Sequence, residues 1–159
     1  MAVLKIVTES ENEEFLRKKS RPVTEITPRI LTLLDDMVET MRAANGCGLA
    51  AVQVGVLRRI VVIETEEGLF EFINPRIVRK TGMQEGAEGG LSLPGKWGLT
   101  KRPECVTVRA MDREGNEFEV TGYDLLAKAM CHEIDHLDGV VYVDHVEGEL
   151  MNVNYAEEE

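Results

Sequence analysis

Basic residues are scarce in this chain: 18 Lys and Arg stand against 29 Asp and Glu, a formal net charge of −11. Phosphate backbones repel such a chain, which argues against direct nucleic-acid binding. Cysteine is scarce too. Cys47, Cys105 and Cys131 are three in all, an odd number without framework spacing, so no disulfide scaffold is expected and a reducing compartment fits. Long apolar runs are missing, and no stretch approaches the length of a membrane-spanning helix. The segment MAVLKIVTESENEEF has no apolar run behind a basic start and does not read as a signal peptide. The expectation is a cytoplasmic protein with no membrane partner.

What is present is ordinary for a globular chain: 159 residues, 43% hydrophobic and 30% charged, with a length suited to one domain over 1–159. A helix is predicted from Ile26. Ile30, Leu33, Leu34, Met37, Val38 and Met41 follow at steps of three and four, the spacing of one helix face. Thr27 before Pro28 supplies a cap and a first-turn proline, and Asn45-Gly46 ends the helix. A second helix is predicted over 123–137, with Leu125, Leu126, Ala129, Met130 and Ile134 giving it a wide, buried apolar surface. Strands are predicted over 59–64, 69–73, 75–80, 105–111 and 116–121, with turns at Glu66-Glu67-Gly68 and Arg113-Glu114-Gly115. Val3 to Val7 suits a short strand, and 10–14 is polar and exposed. The glycine-rich stretch 82–98 reads as an ordered loop or a very short strand, and the acidic tail after Val146 as frayed. Strands mixed with two helices imply an α+β fold.

Three segments carry chemistry. The sharpest is His132-Glu133-Ile134-Asp135-His136. Positions i and i+4 of a helix share a face, so both imidazoles can converge on one divalent ion. A carboxylate at Glu133 stands close enough to serve as general base and acid for a water activated there. Two of the chain's three histidines lie in this segment, on a helix that should be buried, where an imidazole without a partner is costly. The second segment is Gly46-Cys47-Gly48-Leu49-Ala50-Ala51-Val52-Gln53. Its small residues permit close backbone approach, and Gln53 can donate to a developing oxyanion. Alone it reads more simply as a helix end and a packed turn. The third is Glu88-Gly89-Gly90-Leu91-Ser92, which alone is a glycine-rich loop with peptide N–H groups to offer.

In this order, GCGLAAVQ, EGGLS and HEIDH resemble the motifs of the peptide deformylase family, which carries G-x-G-L-A-A-x-Q, E-G-C-x-S and H-E-x-D-H. Flanking matches include Ser20-Arg21-Pro22-Val23, Ile73-Asn74-Pro75 and Gly122-Tyr123-Asp124-Leu125-Leu126-Ala127. The resemblance implies an α+β fold with the H-E-x-x-H helix held between antiparallel sheets. It implies metal-dependent removal of the formyl group from N-formyl-methionyl peptides. His132 and His136 would hold the metal, Fe²⁺ or Zn²⁺, with Ni²⁺ or Co²⁺ as substitutes. Glu133 would be the catalytic base and acid, and Gln53 with the Leu91 N–H would hold the formyl oxygen. Gly46, Cys47, Gly48, Glu88, Gly89, Leu125 and Ala129 would bind substrate or line its pocket. A nascent-chain substrate also implies transient contact with the ribosome.

One position departs from the pattern. Gly90 stands where the family has the cysteine whose thiolate is the third metal ligand, and glycine has no ligand atom. Water can fill that place, or Cys47 can reach in, with Cys131 the poorer candidate because it lies about 100° around the helix from His132. Loss of the thiolate should favour ions that prefer nitrogen and oxygen. The alternatives to an active deformylase are a deformylase-like protein that binds formyl-peptides without chemistry, and a metalloprotease-like enzyme with another substrate.

Overall fold

The structure is a computed structural model that describes residues 2–153. Two antiparallel sheets and three α-helices make it up. After α1 (Glu9–Leu16) and α2 (Pro28–Ala43) come β1 (Gly48–Ala50), a 3-10 turn (Ala51–Val54), β2 (Ile60–Thr65) and β3 (Gly68–Thr81). Next are β4 (Gln84–Gly90), β5 (Leu93–Arg102), β6 (Cys105–Met111), β7 (Glu117–Tyr123), α3 (Asp124–Leu137), a second 3-10 turn (Tyr142–His145) and β8 (Glu147–Asn152). One sheet has five strands in the order β1-β2-β3-β6-β7, the other three in the order β4-β5-β8.

Local chemistry explains where the main elements begin and turn. The Thr27 hydroxyl accepts a hydrogen bond from the Ile30 N–H, and Pro28 sits in the first turn of α2. At the far end Asn45 takes up a left-handed backbone, φ 56°. The β2–β3 and β6–β7 hairpins turn at the predicted glycines, Gly68 and Gly115, both at positive φ. The two apolar runs predicted around Pro75 are one strand. Ile73 and Arg76 flank a register shift there, and the Asn74 side chain at this bulge bonds both the N–H and the carbonyl of Val23.

β2 is buried on both faces and divides the core by its two-residue period. Ile60 and Val62 face α2, packing with Leu34, Met37 and Met41. Val61 and Ile63 face α3, packing with Leu126, Met130 and Leu137. α3 is thus fixed against the larger sheet. Its opposite side meets the smaller sheet, where Glu88 of β4 contacts His132 and Arg102 of β5 contacts Asp135.

Four expectations need correction. The described residues hold three α-helices rather than two: the polar stretch 10–14 lies in α1, which is kinked at Asn12 and buries only Leu16. Val3 to Val7 forms no strand, although the Val7 N–H bonds the Gln53 carbonyl at 2.7 Å. The stretch 82–98 is neither loop nor a very short strand but most of a β4–β5 hairpin. The tail does not fray directly after Val146, because β8 pairs with β5 through Asn152. The terminal glutamates lie outside the described residues.

Candidate metal centre and substrate cavity

α3 presents His132, Glu133 and His136 together, all buried, with one ligand atom from each lying within 4.8 Å of the others. The two imidazole rings stand 5.1 Å apart, centre to centre, at 64°. His132 is fixed from behind. Its Nδ1 lies 2.5 Å from Glu88 Oε2, and its ring stacks on Tyr142 at 5.8 Å. The carboxylate of Glu88 is held in turn: Arg102 donates to both its oxygens at 2.9 and 2.7 Å, and Thr100 donates at 2.8 Å. Arg102 continues to Asp135 at 2.7 Å. A carboxylate on one imidazole nitrogen fixes the ring and turns the other nitrogen, here Nε2, toward the site.

Electrostatics separate these groups. Burial raises the Glu133 carboxyl to about 7, more than His132 offsets. Burial lowers His136 to about 3, and the neighbouring His132 adds to the effect. His136 is therefore neutral, as a ligand must be. Glu88 experiences burial as well, yet the bonds from His132 and Arg102 keep it well below the usual carboxylate range.

Two buried polar atoms here have no hydrogen-bond partner, Glu133 Oε1 and His136 Nδ1. Orphaned atoms of this kind are rare in native interiors. Two converging imidazoles and a carboxylate, with one nitrogen of His136 and one oxygen of Glu133 unpaired among the described residues, suit a divalent cation with nitrogen and oxygen preference. Among the described residues the smaller sheet adds no ligand atom to this group. A Cβ on Gly90 would lie 3.3 Å from His132 Nε2, so position 90 points at the site and supplies nothing. Cys47 and Cys131 do not join the group among the described residues. Cys47, one of the candidates for the missing donor, is exposed just before β1, at the rim of the cavity.

That cavity, about 360 Å³, opens beside the histidines. Its walls come from three places: Gly46, Cys47 and Gly48 before and in β1; Glu88, Gly89, Gly90 and Leu91 at the end of β4; Leu125, Ala129, His132 and Glu133 of α3. Three segments far apart in sequence thus meet around one hollow. A match to the model of the polypeptide deformylase family spans residues 3–151. The chain belongs to that family.

Among deformylases, that of Caldanaerobacter subterraneus subsp. tengcongensis is 61% identical over 131 residues, covering 82% of each chain. That of Agathobacter rectalis is 54% identical over 147 residues, covering 92% of this chain and 93% of the relative. The crystal structure of the Ehrlichia chaffeensis deformylase in complex with actinonin superposes with a TM-score of 0.88 at 39% identity. It covers 92% of this chain and 90% of that one. The fold of this deformylase is therefore α+β, as expected.

Not every expected site residue borders the cavity. His136 is buried beside His132 and does not line the cavity. Gln53, 1% exposed, is turned into the structure: its Oε1 accepts from the Ala50 N–H at 2.9 Å and its Nε2 donates to Ser92 Oγ at 3.1 Å. Ser92 donates onward to the Val7 carbonyl at 2.7 Å. Sequence reasoning missed Arg102, Thr100, Tyr142 and the rim residue Lys128, and named Ser92 in its motif without giving it a role. Arg102 and Thr100 carried one signal, a charged and a hydroxyl residue spaced by two in a short stretch, as for side chains on one strand face. Tyr142 and Lys128 carried none.

Proposed function

We propose that this deformylase is a metal-dependent hydrolase of N-formyl-methionyl peptides in the cytoplasm. Water adds to the formyl carbon, the C–N bond breaks, and formate and a free α-amine leave. The observation that carries this reading is the convergence of His132, His136 and Glu133 beside a cavity of peptide size, in a chain of this family. His132 and His136 hold the ion, Fe²⁺ or Zn²⁺, with Co²⁺ or Ni²⁺ as substitutes. Bound there, a divalent ion supplies a water acidic enough to attack at neutral pH and polarises the carbonyl.

The chain's own groups do the rest. Glu133 takes the proton from the attacking water and returns it to the departing nitrogen. The Leu91 N–H, at the cavity wall, donates to the formyl oxygen as charge grows on it. Gln53 stands outside the cavity wall here, but its Nε2 retains a second hydrogen beyond the one given to Ser92, and on substrate binding this serves the oxyanion. β1 and β4 are the outermost strands of their sheets. A peptide extended between them bonds backbone near Gly48 and Gly89 as an added strand. Gly46, Cys47, Leu125 and Ala129 with Leu91 line the pocket for the methionine side chain. Glu88 supports the site through His132. A nascent chain is the natural source of such a peptide, which makes transient ribosome association part of the proposal.

The deciding experiment measures formate release from a formyl-methionyl dipeptide with Glu133→Ala at saturating Co²⁺, so that occupancy is not limiting. General acid–base catalysis contributes roughly 10²–10⁴-fold, and a loss of that order is expected. Turnover equal to the parent's would remove Glu133 from the chemistry.

A further inference from the structure

The carboxylate of Glu133 stands close beside the two histidines. Its Oε2 lies 3.9 Å from His132 Nε2, too far for a hydrogen bond, and its Oε1 has no hydrogen-bond partner among the described residues. Both residues are almost wholly buried, 5% and 7% exposed. Two ligands on one divalent ion, each about 2.1 Å from it, sit roughly 3.4 Å apart in tetrahedral geometry. This pair is half an ångström from that, and all three ligand atoms of the group lie within 4.8 Å of one another. Among the described residues no other carboxylate or thiol joins the two histidines. Glu88, the nearest alternative, spends its oxygens on Arg102, Thr100 and His132 Nδ1.

We propose that, because Gly90 offers no donor atom, the Glu133 carboxylate is itself the third protein ligand of the cation held by His132 and His136, one oxygen binding and the other left to accept a proton. This rests on the reading of the two histidines as ligands given above, but not on turnover. It divides Glu133 between two duties that a donor at position 90 would separate. The backbone there aims correctly for such a donor: a Cβ would stand 3.3 Å from His132 Nε2, a fit that asks the ring to give by a few tenths of an ångström.

The test reads metal affinity alone, by titrating metal-free protein with Co²⁺ and following its d–d absorption, with no substrate present. Four proteins are compared: the parent, Glu133→Gln, Gly90→Cys and the double variant. Glu133→Gln should weaken Co²⁺ binding at least fivefold in the parent. In the Gly90→Cys background the same change should weaken it by less than half that factor, since a thiolate then completes the set. Loss of a distant negative charge would act equally in both backgrounds. Equal losses, or a loss below fivefold in the parent, overturn the proposal. Circular dichroism of each metal-free protein identifies a variant that fails to fold; Glu133→Asp, which keeps the charge and shortens the reach, then replaces Glu133→Gln in the same four-way comparison under the same criteria. Formate release by the parent is a separate measurement: a chain that binds Co²⁺ through Glu133 yet hydrolyses nothing would sink the proposed function and leave this inference standing.

Discussion

The Glu133 carboxylate occupies the space that a Cβ on Gly48 would need: such a carbon would lie 2.7 Å from Oε2 and 2.9 Å from Cγ. Neither separation is tolerable, so residue 48 must be glycine for the carboxylate to sit where it does. Gly48→Ala should therefore push Glu133 out of place while leaving the rest of α3 seated. At saturating Co²⁺, kcat for a formyl-methionyl dipeptide should fall at least tenfold, with a much smaller change in KM. Unchanged kcat would show that the carboxylate has freedom this packing denies it.

The chain Arg102–Glu88–His132 makes a second prediction. Glu88→Gln removes the charge that fixes the His132 ring, and changes to such supporting groups typically weaken metal binding about 10–100-fold. Arg102→Met should act on stability instead. It leaves Glu88 buried without its cation, a loss of about 3–5 kcal/mol by comparison with other broken buried pairs. Urea denaturation checks this, and a loss under about 1 kcal/mol would mean that water reaches Glu88.

Much of this was legible beforehand, and the limits have physical reasons. α2 announced itself because one apolar face recurs at helical spacing and Thr27-Pro28 marks its start. β2, β6 and β7 were legible from β-branched runs joined by glycine turns. His132 and His136 were readable because a local i, i+4 pair is a sequence pattern. β4 was not, because Gln84–Gly90 is mostly glycine, alanine and glutamate, residues that disfavour strands until a neighbour pairs with them. β8 exposes all six of its residues, so it has no buried face to create an alternating pattern. The Glu88–Arg102 pair spans 14 positions and depends on the β4–β5 register, which no local rule supplies.

A pH prediction comes from the edge of the molecule, where Asp144 receives the Arg17 guanidinium at 2.5 Å. Burial works to raise the Asp144 pKa, but Arg17 and the Val141 N–H outweigh it and the net shift is downward. A carboxyl depressed on folding stabilises above its unfolded pKa, and the benefit vanishes as pH falls through the folded value. The pair is partly exposed, so its worth is below about 1 kcal/mol. Asp144→Asn should melt slightly lower than the parent at pH 7, and the two curves should merge in strong acid. A difference that grows on acidification would contradict this.

Leu34 of α2 is fully buried in the cluster with Ile60 and Val62 and lines no part of the cavity. Leu34→Ala should destabilise by about 2–5 kcal/mol while leaving kcat and Co²⁺ affinity of the folded protein unchanged. Altered kinetics would mean that the two faces of the larger sheet are more strongly coupled than their separate clusters imply.

Formate release from a formyl-methionyl dipeptide, before and after chelation and again on adding Fe²⁺ or Co²⁺, bears most directly on the whole account. It predicts steady formate production that chelation stops and either ion restores. A protein that releases no formate with any divalent ion, or that keeps its rate after complete metal removal, would contradict it.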